Sequence, residues 1–209
     1  VIDLTYQELF LDIYKTNFWR DAESRSGTGS NLAITRKLVE ELPGLFRMLE
    51  TTSILDVPCG DYYWMRTVPM YGIKYTGADL VPEIITDNRL KHPNVDFIEL
   101  DMLTDKLPYA DLVIVRDCLV HFPNDAVFRA LNNVYESASK YFLSTTFPNH
   151  SNKIDIEMGD WRPLNLQDSP FNLPEPLAII NEGLIGDCSD KSMAVWSADQ
   201  LKLGRNESY

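Results

Sequence analysis

Residues 53–65 read SILDVPCGDYYWM. A short apolar run ends in Asp56, a turn of Pro58, Cys59, Gly60 and Asp61 follows, and then come aromatics. An apolar run bounded by turn residues is the pattern of a buried strand. Open α/β sheets bind their ligands outside the carboxyl ends of such strands. Gly60 permits a tight turn and a close approach of backbone. Pro58 has no amide hydrogen, so successive N–H groups cannot cradle a pyrophosphate here. One glycine stands where a dinucleotide loop would carry G-x-G-x-x-G.

Working outward, strands are expected at Ser53–Val57, Lys74–Ala78, Val95–Leu100, Leu112–Arg116 and Tyr141–Thr146. Helical segments fall between them at Trp64–Val68, Pro82–Lys91 and Asn124–Ser139, with MLTDKLPYA as a loop. Alternation of this kind predicts an α/β, doubly wound, Rossmann-like sheet that is mostly parallel. Two apolar segments, Leu177–Ile180 and Met193–Trp196, supply closing strands and bring the sheet to seven. Upstream, Leu4, Phe10, Leu11, Ile13, Tyr14 and Phe18 are spaced as on a helix, and a second helix over LAITRKLVEELPGLFRMLE is interrupted or ended near Pro43-Gly44. Residues 1–50 thus read as a helical cover. Residues 147–176, rich in Pro, Asn and Asp, read as a lid inserted after strand 5, because loops this long are usually functional. The tail LGRNESY is expected to fray, and the whole is expected to be a single domain.

With 209 residues the chain can bury a core without disulfides. Cys59, Cys118 and Cys188 are odd in number and widely spaced, which argues against a disulfide framework or zinc site and for a reducing, cytoplasmic setting. The N-x-S matches at Asn149 and Asn206 then carry little weight. No apolar run reaches membrane-span length and no signal segment opens the chain, although a start at Val1 fits a trimmed chain with room for an upstream segment. A net charge of −12 repels phosphate backbones and disfavours a nucleic-acid partner.

Acids recur at the later strand ends. Asp79 follows Asp56 by 23 residues in YTGADL, where a carboxylate would accept from ribose hydroxyls. Asp101 stands in IELDML, and Arg116, Asp117 and His121 in IVRDCLVHFP. Taken singly, each acid is more readily explained as a cap for the next helix or turn, and the joint spacing is what favours a functional reading.

Taken together, ILDVPCGDYYWM, YTGADLVPEI, IELDML and DLVIVRDCLVHFP resemble the successive motifs of class I S-adenosylmethionine-dependent methyltransferases. The likeness covers roughly residues 26–146. It is nearest to a little-characterised bacterial-type group with SGTGS, LDVPCGD, RDCLVHF and GDWRPLNL motifs. The first motif departs from the wider family, Pro58 and Tyr62 replacing its outer glycines. The resemblance implies S-adenosylmethionine as cofactor, with Asp56, Pro58 and Gly60 lining its methionine part. It implies Asp79 and Leu80 at the ribose, Asp101 and Met102 at the adenine, and Asp117 as a further cofactor-binding residue. Arg25, in the loop through Ser30, would face the methionine carboxylate.

Methyl transfer then needs a positioned acceptor and often a base. His121 is the natural base and Asp117 could orient it or take the proton itself; a helix-start role for His121 and a structural pairing of Asp117 with Arg116 are equally open. Asp160, Trp161, Arg162 and Asn165 suit a polar acceptor, a small molecule or glycan, with O-methylation ahead of N-methylation. Trp161 as a plug and Asp160–Arg162 as a lid salt bridge are alternatives. No metal is expected, although Asp117 with Asn149 is one pair that could hold one. The rivals are a nucleotide-dependent oxidoreductase or epimerase, which the poor glycine turn disfavours, and a non-catalytic cofactor-binding domain. Cys59 and Cys118 read as packing residues, and His92 as solvent-facing.

Overall fold

The computed structural model describes residues 5–202. Leu4, the tail LGRNESY and Asn206 lie outside them. The strand order is β3-β2-β1-β4-β5-β7-β6, the seven-stranded, Rossmann-like arrangement expected. Within it the chain divides into two compact units, one up to Asp101 and the other from Met102.

The first unit opens with α1 (Tyr6–Thr16), started by a reciprocal Thr5–Glu8 capping box and ended by left-handed Asn17. Asn31 caps α2 (Leu32–Met48) by accepting from the Ile34 amide at 2.9 Å. The expected break at Pro43 does not occur: α2 runs through it. Proline forfeits one backbone bond, but Leu38, Leu42, Leu45 and Phe46 on one face are all buried, and that burial outweighs the loss. Then come β1 (Ser53–Asp56), β2 (Lys74–Asp79), α3 (Pro82–Lys91) and β3 (Asp96–Glu99). Trp64–Val68 amounts to one 3-10 turn, Met65–Thr67. β1 and β3 both pair in parallel with β2, Asp56 opposite Gly77 and Asp79 opposite Glu99, so three strand ends share one edge.

That pairing explains the aromatics after the first turn. Tyr62 meets the rings of Tyr75, His92 and Phe97 at centroid distances of 5.0, 5.2 and 5.3 Å. His92 is therefore half-buried against Tyr62 rather than solvent-facing. Gly77 makes room for this cluster: a Cβ there would come within 2.7 Å of Phe97.

The second unit holds β4 (Leu112–Val115), α4 (Asn124–Glu136), β5 (Tyr141–Thr146), β6 (Ala178–Asn181), β7 (Ser192–Ser197) and the short α5 (Ala198–Lys202). β4 is parallel to β5, and β7 runs antiparallel between β5 and β6. The start of β7 therefore lies beside the ends of β5 and β6, Ser192 opposite both Thr146 and Asn181. Residues 147–177 form neither helix nor strand, yet Leu164, Leu166, Phe171 and Leu173 are buried, so the segment is packed down. Among the described residues no helix is long and apolar enough to cross a membrane.

Candidate active site

In the first unit the strand-end acids are held by the backbone around them. Asp56 is buried and accepts the Tyr75 hydroxyl at 2.6 Å. Asp79, also buried, accepts the amides of Gly60 and Val81, each at 3.0 Å, through different oxygens. Burial raises its pKa to about 6 against the pull of those two amides and that of Leu80. Each carboxylate oxygen has two lone-pair directions, so with three amides directed at it Asp79 keeps acceptor capacity for a ligand hydroxyl. The Leu80 carbonyl accepts the Gln7 side chain at 3.1 Å, and Asp101 accepts the Tyr6 hydroxyl, so α1 reaches two of the expected cofactor positions.

The turn itself is built on Asp61. Its carboxylate accepts the hydroxyls of Ser24 and Ser26 and the amides of Arg25 and Tyr63, and its own amide donates to Ser26 Oγ at 3.0 Å. The SGTGS loop thereby docks on the LDVPCGD turn. Gly60, at φ 53°, is required by this docking, since a Cβ would fall 2.2 Å from Ser26 Oγ. Arg25 turns its guanidinium toward the end of α1, donating to the Tyr14 and Lys15 carbonyls at 3.1 and 3.3 Å. Cys59 is buried, and burial with Asp79 and Asp56 nearby pushes its thiol up, as suits a packing residue. With no N–H at Pro58 and that of Gly60 given to Asp79, the turn suits a ligand that has hydroxyls but no pyrophosphate.

In the second unit the register brings four charges to one edge. Arg116, after β4, donates to Glu182 at 2.7 Å and lies 3.3 Å from Asp117. Lys191, before β7, reaches Asp117 at 2.6 Å and Glu182 at 3.5 Å. Arg116, Glu182 and Lys191 are all buried. Burial would push the Asp117 carboxyl up, but Arg116 and Lys191 hold it well below the usual carboxylate range. Its backbone is left-handed at φ 51° and donates to Thr145 Oγ1 at 2.8 Å. An ionised, doubly paired carboxylate is a poor proton acceptor, so of the two candidate bases the chemistry suits His121.

His121 ends a 3-10 turn (Leu119–His121) and is half-buried. Its Nδ1 lies 2.7 Å from the Asp160 carbonyl, which can only accept, so the proton sits on Nδ1 and the acceptor nitrogen is Nε2. Burial lowers its pKa, opposed by the Asp160 carbonyl and Asp117. The GDWR segment is laced to this turn: Gly159 donates to the His121 carbonyl at 2.9 Å and Arg162 to that of Val120 at 3.0 Å.

The lid residues divide. Asp160 offers its carbonyl to His121 rather than its carboxylate to Arg162. Arg162 is buried and donates to Asn124 Oδ1 at 2.9 Å, with Asp155 3.6 Å away. Trp161 is 52% exposed and meets the buried Phe147 ring edge-on. Asn165 is buried, its amide spent on the Pro148 and His150 carbonyls at 3.0 and 2.9 Å. Met102 is buried, its carbonyl accepting from Asn133 at 2.9 Å. An open depression of about 310 Å³ is lined by polar lid groups, among them Asn149, His150, Ser151 and Asp168.

Tyr6, Gln7, Asp61, Glu182 and Lys191 are missing from the sequence-based site. Only Asp61 had a signal there, an acid directly after the glycine. Glu182 and Lys191 flank apolar strands and become partners only through β6–β7 pairing.

Residues 54–140 match a family model described as a methyltransferase domain. Among solved structures the chain is similar to magnesium protoporphyrin IX methyltransferase from Synechocystis PCC 6803, solved with bound SAM, at 11% identity and a TM-score of 0.61, covering 94% of this chain and 99% of that one. Human N-acetylserotonin methyltransferase, also in complex with SAM, gives 15% and 0.63, over 92% of this chain and 59% of that one. The PH0226 protein of Pyrococcus horikoshii OT3 gives 19% and 0.56, over 78% and 90%. No curated protein matches the sequence. The chain has the Rossmann-like fold of the class I methyltransferases, with a methyltransferase domain matched over residues 54–140.

Proposed function

We propose that this protein is an S-adenosylmethionine-dependent methyltransferase that O-methylates a polar small molecule or glycan. The observation that carries the reading is Asp79: a buried strand-end carboxylate, fixed by two backbone amides and beside a turn without phosphate-binding N–H groups. The matched methyltransferase domain and fold support the same cofactor. When bound, the cofactor supplies a methyl group activated by the adjoining sulfonium. Asp79 would hold its ribose, Asp101 its adenine, and the turn from Asp56 to Gly60 its methionine part.

The remaining chemistry belongs to the chain's own residues. His121 Nε2 takes the proton of the acceptor hydroxyl, while Nδ1–H stays anchored on the Asp160 carbonyl. The lowered pKa keeps the imidazole neutral near pH 7, as a base must be before it acts. Asp117 stays anionic and favours the imidazolium that forms. A neutral hydroxyl is a weak nucleophile until a base draws off its proton during attack, so a positioned imidazole favours a hydroxyl acceptor. The polar depression in the lid supports a hydrophilic acceptor.

The test is production of S-adenosylhomocysteine from S-adenosylmethionine across a panel of sugars, polyhydroxylated small molecules and amines. Turnover on a hydroxyl compound is expected. Transfer to amines alone would contradict the O-directed reading.

A further inference from the structure

The start of α4 and Arg162 present an unusual set of donors. α4 begins at Asn124 after Pro123 and has no side-chain cap of its own. Its first amide is instead served by a carboxylate from the lid: Asp155 Oδ1 accepts from Asn124 at 2.9 Å and from Ile156 at 2.8 Å. Arg162 lies beside it, only 7% exposed. One arm donates to Asn124 Oδ1, but Nε and Nη1 are buried and have no hydrogen-bond acceptor among the described residues. Nη1 points at Asp155 Oδ1 from 3.6 Å, too far for a hydrogen bond. A buried guanidinium with two unmade bonds is costly, and a helix N-terminus independently favours an anion. The one aspartate oxygen already serves two amides, and it gives the guanidinium a charge at 3.6 Å but no hydrogen bond to Nε or Nη1. A free oxyanion with several oxygens could serve both.

We propose that the α4 N-terminus and Arg162 form a subsite for an oxyanion, a phosphate or carboxylate carried by the methyl acceptor, and that the Asp155 carboxylate is its internal stand-in. The Asp155 side chain is 51% exposed and can swing out. The neighbouring Asp125 carboxylate is turned to Arg129 at 3.1 Å. The same GDWR segment that anchors His121 through the Asp160 carbonyl delivers Arg162, so one element sets both the base and the anion contact. Removal of this subsite would weaken acceptor binding more than cofactor binding. The inference rests on the proposed methyltransferase reading for the word acceptor; the anion site itself does not.

The test is titration with inorganic phosphate and, separately, acetate, followed by the 15N–1H shifts of the Asn124 amide and Arg162 Nε. Wild type, Asp155→Ala, Glu157→Ala and the double variant Asp155→Ala/Arg162→Gln are compared. Asp155→Ala should bind at least one of the two anions at least tenfold tighter than wild type, with both reporters shifting, and the double variant should lose the gain. Glu157→Ala, which removes a nearby exposed charge, should not tighten binding. No tightening in Asp155→Ala, equal tightening in Glu157→Ala, or a gain that survives Arg162→Gln would each overturn the subsite. S-adenosylhomocysteine is titrated into the same proteins. Loss of that binding alone counts against the methyltransferase reading, and loss of anion binding alone counts against this site.

Discussion

The Asp79 carboxylate accepts the amide hydrogen of Gly60 at 3.0 Å, so the end of the second strand holds the turn that follows the first. On the proposed reading, cofactor recognition depends on the protonation of this one buried acid. Its pKa is about 6, and ribose hydroxyls donate to the ionised form. Protonation removes that form, so affinity is full well above pH 6, about half of that near pH 6, and falls further as pH drops below it. S-adenosylhomocysteine should bind about tenfold more weakly at pH 5 than at pH 7.5, one pH unit below the pKa being a factor of about ten. Calorimetry at the two values checks this, and Asp79→Asn should bind weakly at both.

His121→Asn should lower turnover by about 10²-fold or more, the usual worth of a positioned base, while cofactor affinity stays within about twofold of wild type. In wild type, burial holds the imidazole pKa below 6.5. Activity should therefore persist down to a pH below that value before falling on the acid side. A pH–rate profile for the two proteins measures both effects.

Glu182→Ala removes the buried carboxylate that pairs with Arg116 at 2.7 Å and Lys191 at 3.5 Å, so that Asp117 faces both cations with the balance of charge upset. Removing one partner of such a buried cluster costs about 3–5 kcal/mol, because the desolvation of two cations is then offset by one carboxylate fewer. Urea unfolding should show a lower midpoint, with a slope close to that of wild type.

Asp61→Ala removes the acceptor for the Ser24 and Ser26 hydroxyls and the Arg25 amide, which pin the SGTGS loop, and for the Tyr63 amide within the turn itself. The loop should loosen, and trypsin should cut after Arg25 faster than in wild type. Cofactor affinity should fall as well, since the same turn carries Gly60.

The sheet was legible because its strands are short apolar runs closed by Asp, Gly and Pro, and α3 because Pro82 opens it at the first helical position. The three acids of the first unit were legible for the same reason, each standing at or just past a strand end. Three features were hidden. α2 runs through Pro43 because a buried apolar face outweighs one lost bond, a tertiary effect with no local mark. Glu182 meets Arg116, and Lys191 meets Asp117, only after β7 pairs antiparallel with β5 on one side and β6 on the other, beyond the whole lid in sequence. Arg162 pairs with Asp155 rather than nearby Asp160, because lacing to Val120 and His121 turns Asp160's carbonyl, not its side chain, toward the imidazole.

The most direct test is calorimetric titration of wild type and Asp79→Ala with S-adenosylhomocysteine and, separately, NADH. Micromolar binding of the former is predicted, weakened at least tenfold in the variant, a loss of about 1.4 kcal/mol. A folded wild type that ignores S-adenosylhomocysteine and binds NADH would contradict the account.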